Sequence, residues 1–304
     1  MGYSRWSSDT YSQMQSTYSQ QSRSAIFRST NIHPDLDPRG LVVRESRDSA
    51  AHPNALAIGV FLDVTGSMGR IPEMLIRHKL GSLMDTLIDH GIEDPQVMFS
   101  AIGDHISDRA PLQVGQFESG TEEMNDCLSK IFLEGGGGGQ SKESYALAWL
   151  IGGRHTSIDC YEKRRKKGFL FTIGDEMNWD TVDARRLSSI MGYREAGSMD
   201  ARQVLREAQE KYHVFHIHIN ETGYRNNTMV MEYWRNLLGE RFLVLDNHQA
   251  LAELIASTVA LVSGVDPDRL LQAFDPSTAD MVQNALGDMS IPKRPDSGRR
   301  IFRF

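Results

Sequence analysis

Residues 55–62 (ALAIGVFL) constrain this chain most, because no polar residue interrupts them. A strand with one wet face alternates apolar and polar side chains. An unbroken apolar run of this kind reads as a strand buried on both faces, the situation of a parallel sheet covered by helices on either side. The run ends abruptly in Asp63. Val64, Thr65, Gly66 and Ser67 follow, so a carboxylate and two hydroxyls stand at alternate positions where the strand stops.

Downstream, apolar strands alternate with helical patterns. A helix is expected from about 71 to 90, with Pro72 near its start, where a missing N–H costs little. The stretch QVMFSAIGD (96–104) is a second strand and PLQVGQFE (111–118) a third. The few residues between them leave no room for a crossover helix, so these two pair antiparallel. A helix follows over 121–132 with Thr121 as its N-cap. After five glycines at 135–139, SKESYALAWLIGG (141–153) reads as the next helix and GFLFTIGDE (168–176) as the next strand. Helices near 181–192 and 199–211 precede the strand HVFHIHI (213–219). A helix near 227–238, the strand RFLVL (241–245) and a helix over 248–263 complete the pattern. The fold class is α/β: a doubly wound, mostly parallel central sheet with one antiparallel edge strand and helices on both faces.

Composition divides the chain into three parts. Residues 1–50 are rich in Ser, Gln and Tyr and read as a low-complexity, flexible N-terminal tail that buries too little apolar surface to offset its ordering entropy. Residues 51–264 are the α/β domain. Residues 265–304 form a helical extension ending in the basic stretch IPKRPDSGRRIFRF. The formal net charge of −7 argues against a nucleic-acid binder, which needs a basic surface. Cys127 and Cys160 are too few for a disulfide framework, so a reducing cytoplasm is expected. The polar N-terminus lacks the apolar core of a secretion signal, and no run approaches the ~20 apolar residues that span a bilayer.

In open α/β sheets, ligands bind beyond the carboxyl ends of the strands. Two strands here end in acids, Asp63 and Asp175. If they are central neighbours, their carboxylates meet at one end of the sheet beside Thr65 and Ser67. That donor set is all hard oxygen, which suits Mg2+, with Mn2+ or Ca2+ as alternatives. Gly66 permits the tight path that aims the alternate side chains inward.

Asp63-Val64-Thr65-Gly66-Ser67 after an apolar strand resembles the Asp-x-Ser/Thr-x-Ser motif of von Willebrand factor A-type domains, where it forms a metal-ion-dependent adhesion site. Asp175 matches the later Asp of that family, and the resemblance extends over about residues 55–263. It implies metal ligation by Asp63, Thr65, Ser67 and Asp175, and binding of a protein partner that presents an acidic side chain to the metal, without catalysis. One departure is the absence of the family's loop Thr. The corresponding loop here offers Gln140 and Ser141 instead. Its Gly-rich form points to a bacterial or phage source.

Three other readings compete. An aspartic protease needs Asp-Thr-Gly twice, and here Val64 intervenes in a single copy. A haloacid-dehalogenase-like phosphatase would use Asp63 as nucleophile and Asp175 and Asp180 as later acids. It places a general acid where this chain has Thr65. A metal-free scaffold would use the same acids as caps. Asp104, His105 and Asp108, after the second strand, and Glu176 form a candidate partner-binding rim, although Asp also serves turns locally. His213, His216 and His218 crowd one strand and read mainly as packing residues, since zinc needs further ligands. The basic run at 162–168 precedes the strand that ends in Asp175, so it belongs at the opposite end of the sheet.

Overall fold

The computed structural model describes residues 4–135, 141–194, 197–287 and 289, apart from the side chains of Ser67 and Asp268. Six strands form the central sheet: β1 Leu56–Asp63, β2 Pro95–Ile102, β3 Leu112–Glu118, β4 Gly168–Gly174, β5 Tyr212–Ile219 and β6 Phe242–Leu245. Their order is β6-β5-β4-β1-β2-β3. Every pair is parallel except β2–β3, which is antiparallel and puts β3 at an edge. All residues of β1 are buried, which accounts for its unbroken apolar run. The chain is thus a doubly wound α/β protein with a mostly parallel central sheet.

The ten helices named here, in chain order, are α1 Ser8–Ser19, α2 Arg70–Met74, α3 Leu80–Asp89, α4 Thr121–Lys130, α5 Ala146–Arg154, α6 Ala184–Met191, α7 Ala201–Lys211, α8 Thr228–Leu238, α9 Leu251–Val262 and α10 Pro276–Leu286. From β1 the chain moves one way to β2, whereas β4, β5 and β6 succeed each other in the other direction. Right-handed crossovers therefore put the connecting helices on opposite faces. On one face α3 packs against α9; on the other α5 packs against α7, and Trp149 of α5 meets Trp234 of α8. The direction reverses between β1 and β4, the place where such sheets bind ligands. No helix among the described residues is long and apolar enough to cross a membrane.

Three expectations are corrected. First, residues 4–50 are not a loose tail. Tyr11 of α1 is buried against Gly81, where a Cβ would lie 2.7 Å from the Tyr11 ring. Trp6 Nε1 donates to Asp85 (2.7 Å), Ser4 Oγ to Glu123 (2.7 Å) and Arg77 Nη2 to the carbonyl of Gln21 (2.8 Å). A few anchors and many polar bonds hold a segment whose composition looks disordered. Arg77 lies in a π-helical turn, Leu75–Lys79, between α2 and α3. Farther on, Arg47 joins Glu45, Asp159 and Glu162, and Asp48 joins Arg164.

Second, Thr121 does not cap α4. Gly120 is the N-cap, and the Thr121 hydroxyl accepts instead from the Ser7 amide (2.8 Å), docking the N-terminal segment. Third, residues 141–145 are not helical. Lys142–Glu143 is a short strand paired in parallel with Met177–Asn178, and α5 starts after it. The C-terminal extension packs through α10, whose Val282, Ala285 and Leu286 are buried. Gln140, Glu195, Ala196, Asp288 and the basic end at 290–304 lie outside the described residues.

Candidate functional site

Asp63 ends β1 and is 1% exposed. Its Oδ1 accepts from the Thr65 amide (2.9 Å) and the Thr65 hydroxyl (2.7 Å), while the Tyr145 hydroxyl donates to Oδ2 (3.0 Å). Gly66 adopts φ +42°, a left-handed value that glycine tolerates, and starts the 3-10 turn Gly66–Gly69. Tyr145 reaches Asp63 because Gly174 has no side chain: a Cβ there would fall 1.9 Å from the Tyr145 hydroxyl. The residue that ends β4 thereby clears the path, and the next residue is Asp175.

The structure brings Asp63 and Asp175 to neighbouring strands at the switch point, as expected, and adds Glu143, which the sequence reading missed. The strand Lys142–Glu143 sets Glu143 Oε1 3.2 Å from the Thr65 hydroxyl. Glu176 joins them. Its carbonyl accepts from Trp234 Nε1 (2.9 Å), and its carboxylate lies near Tyr224. Asp175 is met by the Thr222 hydroxyl. The loop after β5 therefore closes over the acids, with Arg70 and His248 both on Glu221 (2.9 and 2.6 Å) beside it.

Burial raises the pKa of all four carboxyls. For Asp63 the Asp175 charge adds to burial, against bonds from Thr65 and Tyr145. For Glu143 burial is followed by repulsion from Asp63 and Glu176. Glu176 is pushed up to about 8 by burial, then by Asp63 and Asp175. Asp175 is raised by burial against its bond to Thr222. Glu143 Oε2 and Glu176 Oε2 are buried without a hydrogen-bond partner.

Among the described residues no three His, Cys, Asp or Glu side chains stand together in metal-holding geometry. The residues fit a hard cation in kind: all donors are oxygen, two of them lack partners, and the like charges need neutralising. Ser67 cannot be added to this set because its side chain lies outside the described residues.

Of the remaining candidates, Asp104 and Asp108 lie near enough for their charges to act on Glu143. Asp104 and His105 are buried, so neither forms an exposed rim. Asp104 accepts from Trp179 Nε1 (2.9 Å), the Ile106 amide (3.1 Å) and Ser107 (2.9 Å), and Asp108 accepts from the Asp104 amide (2.7 Å): a carboxylate-stapled turn. His105 bonds Ser144 through its amide (2.8 Å), and its ring nitrogen lies 2.8 Å from the same hydroxyl. His216 stacks on Trp234 with ring centroids 3.6 Å apart and its Nδ1 lies 2.9 Å from the Thr172 hydroxyl, a packing role as expected. The basic run at 162–168 lies at the entry to β4, with Lys163 on Asp159 and Arg164 on Asp48.

No protein-family model and no curated protein matches this chain. Solved structures do. The pilus adhesin SpaC of Lactobacillus rhamnosus GG in its open conformation matches with 10% identity and a TM-score of 0.46 over 71% of this chain and 31% of that one. Proximal thread matrix protein 1 of the mussel byssus matches with 10% identity and a TM-score of 0.39, over 72% and 50%. A von Willebrand factor type A protein from Catenulispora acidiphila matches with 10% identity and a TM-score of 0.35, over 77% and 51%. The chain thus spans about a third to a half of these proteins. The fold class rests on the sheet described above.

Proposed function

We propose that this chain is a protein-binding module, not an enzyme, that uses a divalent cation, Mg2+ first, held by Asp63, Thr65 and Asp175 with Glu143 as a further donor and Ser67 added from the sequence motif alone. The observation that carries the reading is the gathering of Asp63, Glu143, Asp175 and Glu176 at the switch point, with two carboxylate oxygens left without partners. Like charges in a buried site are unfavourable unless neutralised, and an all-oxygen donor set selects a hard cation. When bound, the cation would offer a coordination position to an acidic side chain of a partner. The chain's own residues orient the first donor: Thr65 and Tyr145 fix Asp63.

Calorimetric titration of MgCl2, MnCl2 and CaCl2 into the full chain tests the reading. Heat is expected from wild type and none from Asp63→Ala. Glu143→Gln is expected to bind about tenfold or more weakly, as for a lost group beside a metal. Equal heats from wild type and Asp63→Ala would sink the reading.

A further inference from the structure

A cleft of ≈ 370 Å³ opens between the N-terminal segment, the β2–β3 connection and α6. Ala110, Leu112 and Phe132 form its buried apolar floor, and Arg39, Arg109 and Arg186 stand at its exposed rim. The three guanidinium groups are not equivalent. Asp37 already engages Arg39 through two oxygens. Arg109 lies over the Phe132 ring at 5.0 Å and pairs through Nε with Glu134 (3.4 Å), whose carboxylate also accepts from the Arg109 and Ala110 amides. No hydrogen bond or ion pair to the Arg186 guanidinium is found among the described residues, although Asp183 and His105 feel its charge.

Both acids lining this cleft are committed, Asp37 to Arg39 and Asp108 elsewhere. Asp108 accepts from the Asp104 amide and the Ser107 hydroxyl, and so belongs to the turn beneath. Burial lowers the His105 pKa, which keeps that ring neutral at neutral pH. The cleft therefore presents the open Arg186 fork, and the Arg109 guanidinium whose Nε alone is engaged by Glu134, over an apolar floor, on a chain whose net charge is −7. Guanidinium forks match carboxylates in two-point contacts. Apolar floors ringed by one sign of charge suit an anchor residue flanked by the opposite sign.

We infer that this cleft binds an acidic segment of a partner protein, seating one apolar side chain on the floor around Phe132 and flanking carboxylates on Arg186 and Arg109. The inference rests on the protein-binding reading but not on the cation. The cleft and the acid cluster are linked through the same turn: His105, which lines the cleft, bonds Ser144, the residue after Glu143.

The test is fluorescence anisotropy with the full chain and three labelled peptides: a Phe flanked by Glu residues, the same peptide with Lys for Glu, and one with phosphoserine for Glu. Each is titrated in chelator and in MgCl2, at low and at physiological salt. The Glu peptide is expected to bind in chelator, the Lys peptide not at all, and Arg186→Glu to weaken the Glu peptide about tenfold or more. Arg186 is exposed, and thermal melting of the variant is expected to match wild type; Arg186→Gln serves as the milder second variant. Four outcomes would overturn the inference. They are equal binding of the Glu and Lys peptides, no binding of the Glu peptide, binding of the phosphoserine peptide alone, and Glu-peptide binding that is abolished by chelator yet indifferent to Arg186→Glu. The last would leave the cation reading standing without the cleft.

Discussion

At Gly174 a single methyl group decides whether Asp63 keeps its Tyr145 bond. A Cβ would sit 1.9 Å from the Tyr145 hydroxyl and 2.6 Å from its ring carbon Cζ, so the ring must move. Gly174→Ala should lower stability by about 1–3 kcal/mol, the range for overpacking a tight interior. Urea unfolding measures this. A cycle with Tyr145→Ala should return non-additive losses, because both changes act on one contact. Asp63 and Asp175 were legible in the sequence, since an apolar run that stops at a carboxylate is a local signal. Glu143 and Tyr145 were not. Their positions depend on Lys142–Glu143 pairing with Met177–Asn178, a contact between distant residues, and the stretch alone reads as the first turn of a helix. A Glu four positions past a run of glycines is the one available hint.

Among the elements, β5 carries the clearest pH signature. Burial alone holds His218 at about 4, and neither of its ring nitrogens has a partner. Burial, then the nearby His218 charge, holds His216 well below its ordinary value. Both ionise near 6.5 in an unfolded chain, so between pH 6.5 and 4 the unfolded state binds more protons. The stabilising contribution is complete above about 6.5 and is lost as pH falls toward 4. His218→Leu should flatten that acid limb without lowering stability at pH 7, as read from urea midpoints across the range. The docking of α1 makes a second element-scale test. Gly81→Ala improves the intrinsic helix propensity of α3 by about 1 kcal/mol but presses on the Tyr11 ring. Hydrogen exchange should therefore quicken in α1 while α3 stays protected. The alternation of strands and helices was readable because its periodicity is local. The docking of α1 was not, because it depends on where Gly81 and Asp85 lie in space, which composition does not encode.

For the whole molecule, the sheet has two edges and both are attended. Along β3, Arg44 Nη2 donates to the Val114 carbonyl (3.1 Å), the Gln116 side chain accepts from the Glu45 amide (3.2 Å), and Pro34–Leu36 packs alongside. Along β6, α10 packs alongside. Exposed strand edges template pairing with other chains. A fragment lacking residues 1–50, cut on the strength of their tail-like composition, should expose β3 and form larger species at micromolar concentration in light scattering, while the full chain stays at its own size.

Ser7 bonds Thr121, and Arg47 bonds Glu162 across 115 positions of sequence. On a ribosome residues 4–50 emerge before the surfaces they dock on. At typical elongation rates this segment waits roughly 5–25 s for them. A greasy segment would spend that interval seeking the wrong neighbours, whereas a chain of Ser, Gln and Tyr stays hydrated until Gly81, Thr121 and Asp159 are in place. The composition that suggests permanent disorder is thus suited to delayed docking. In refolding, the fluorescence of Trp6 should change after the far-UV signal of the core has already returned.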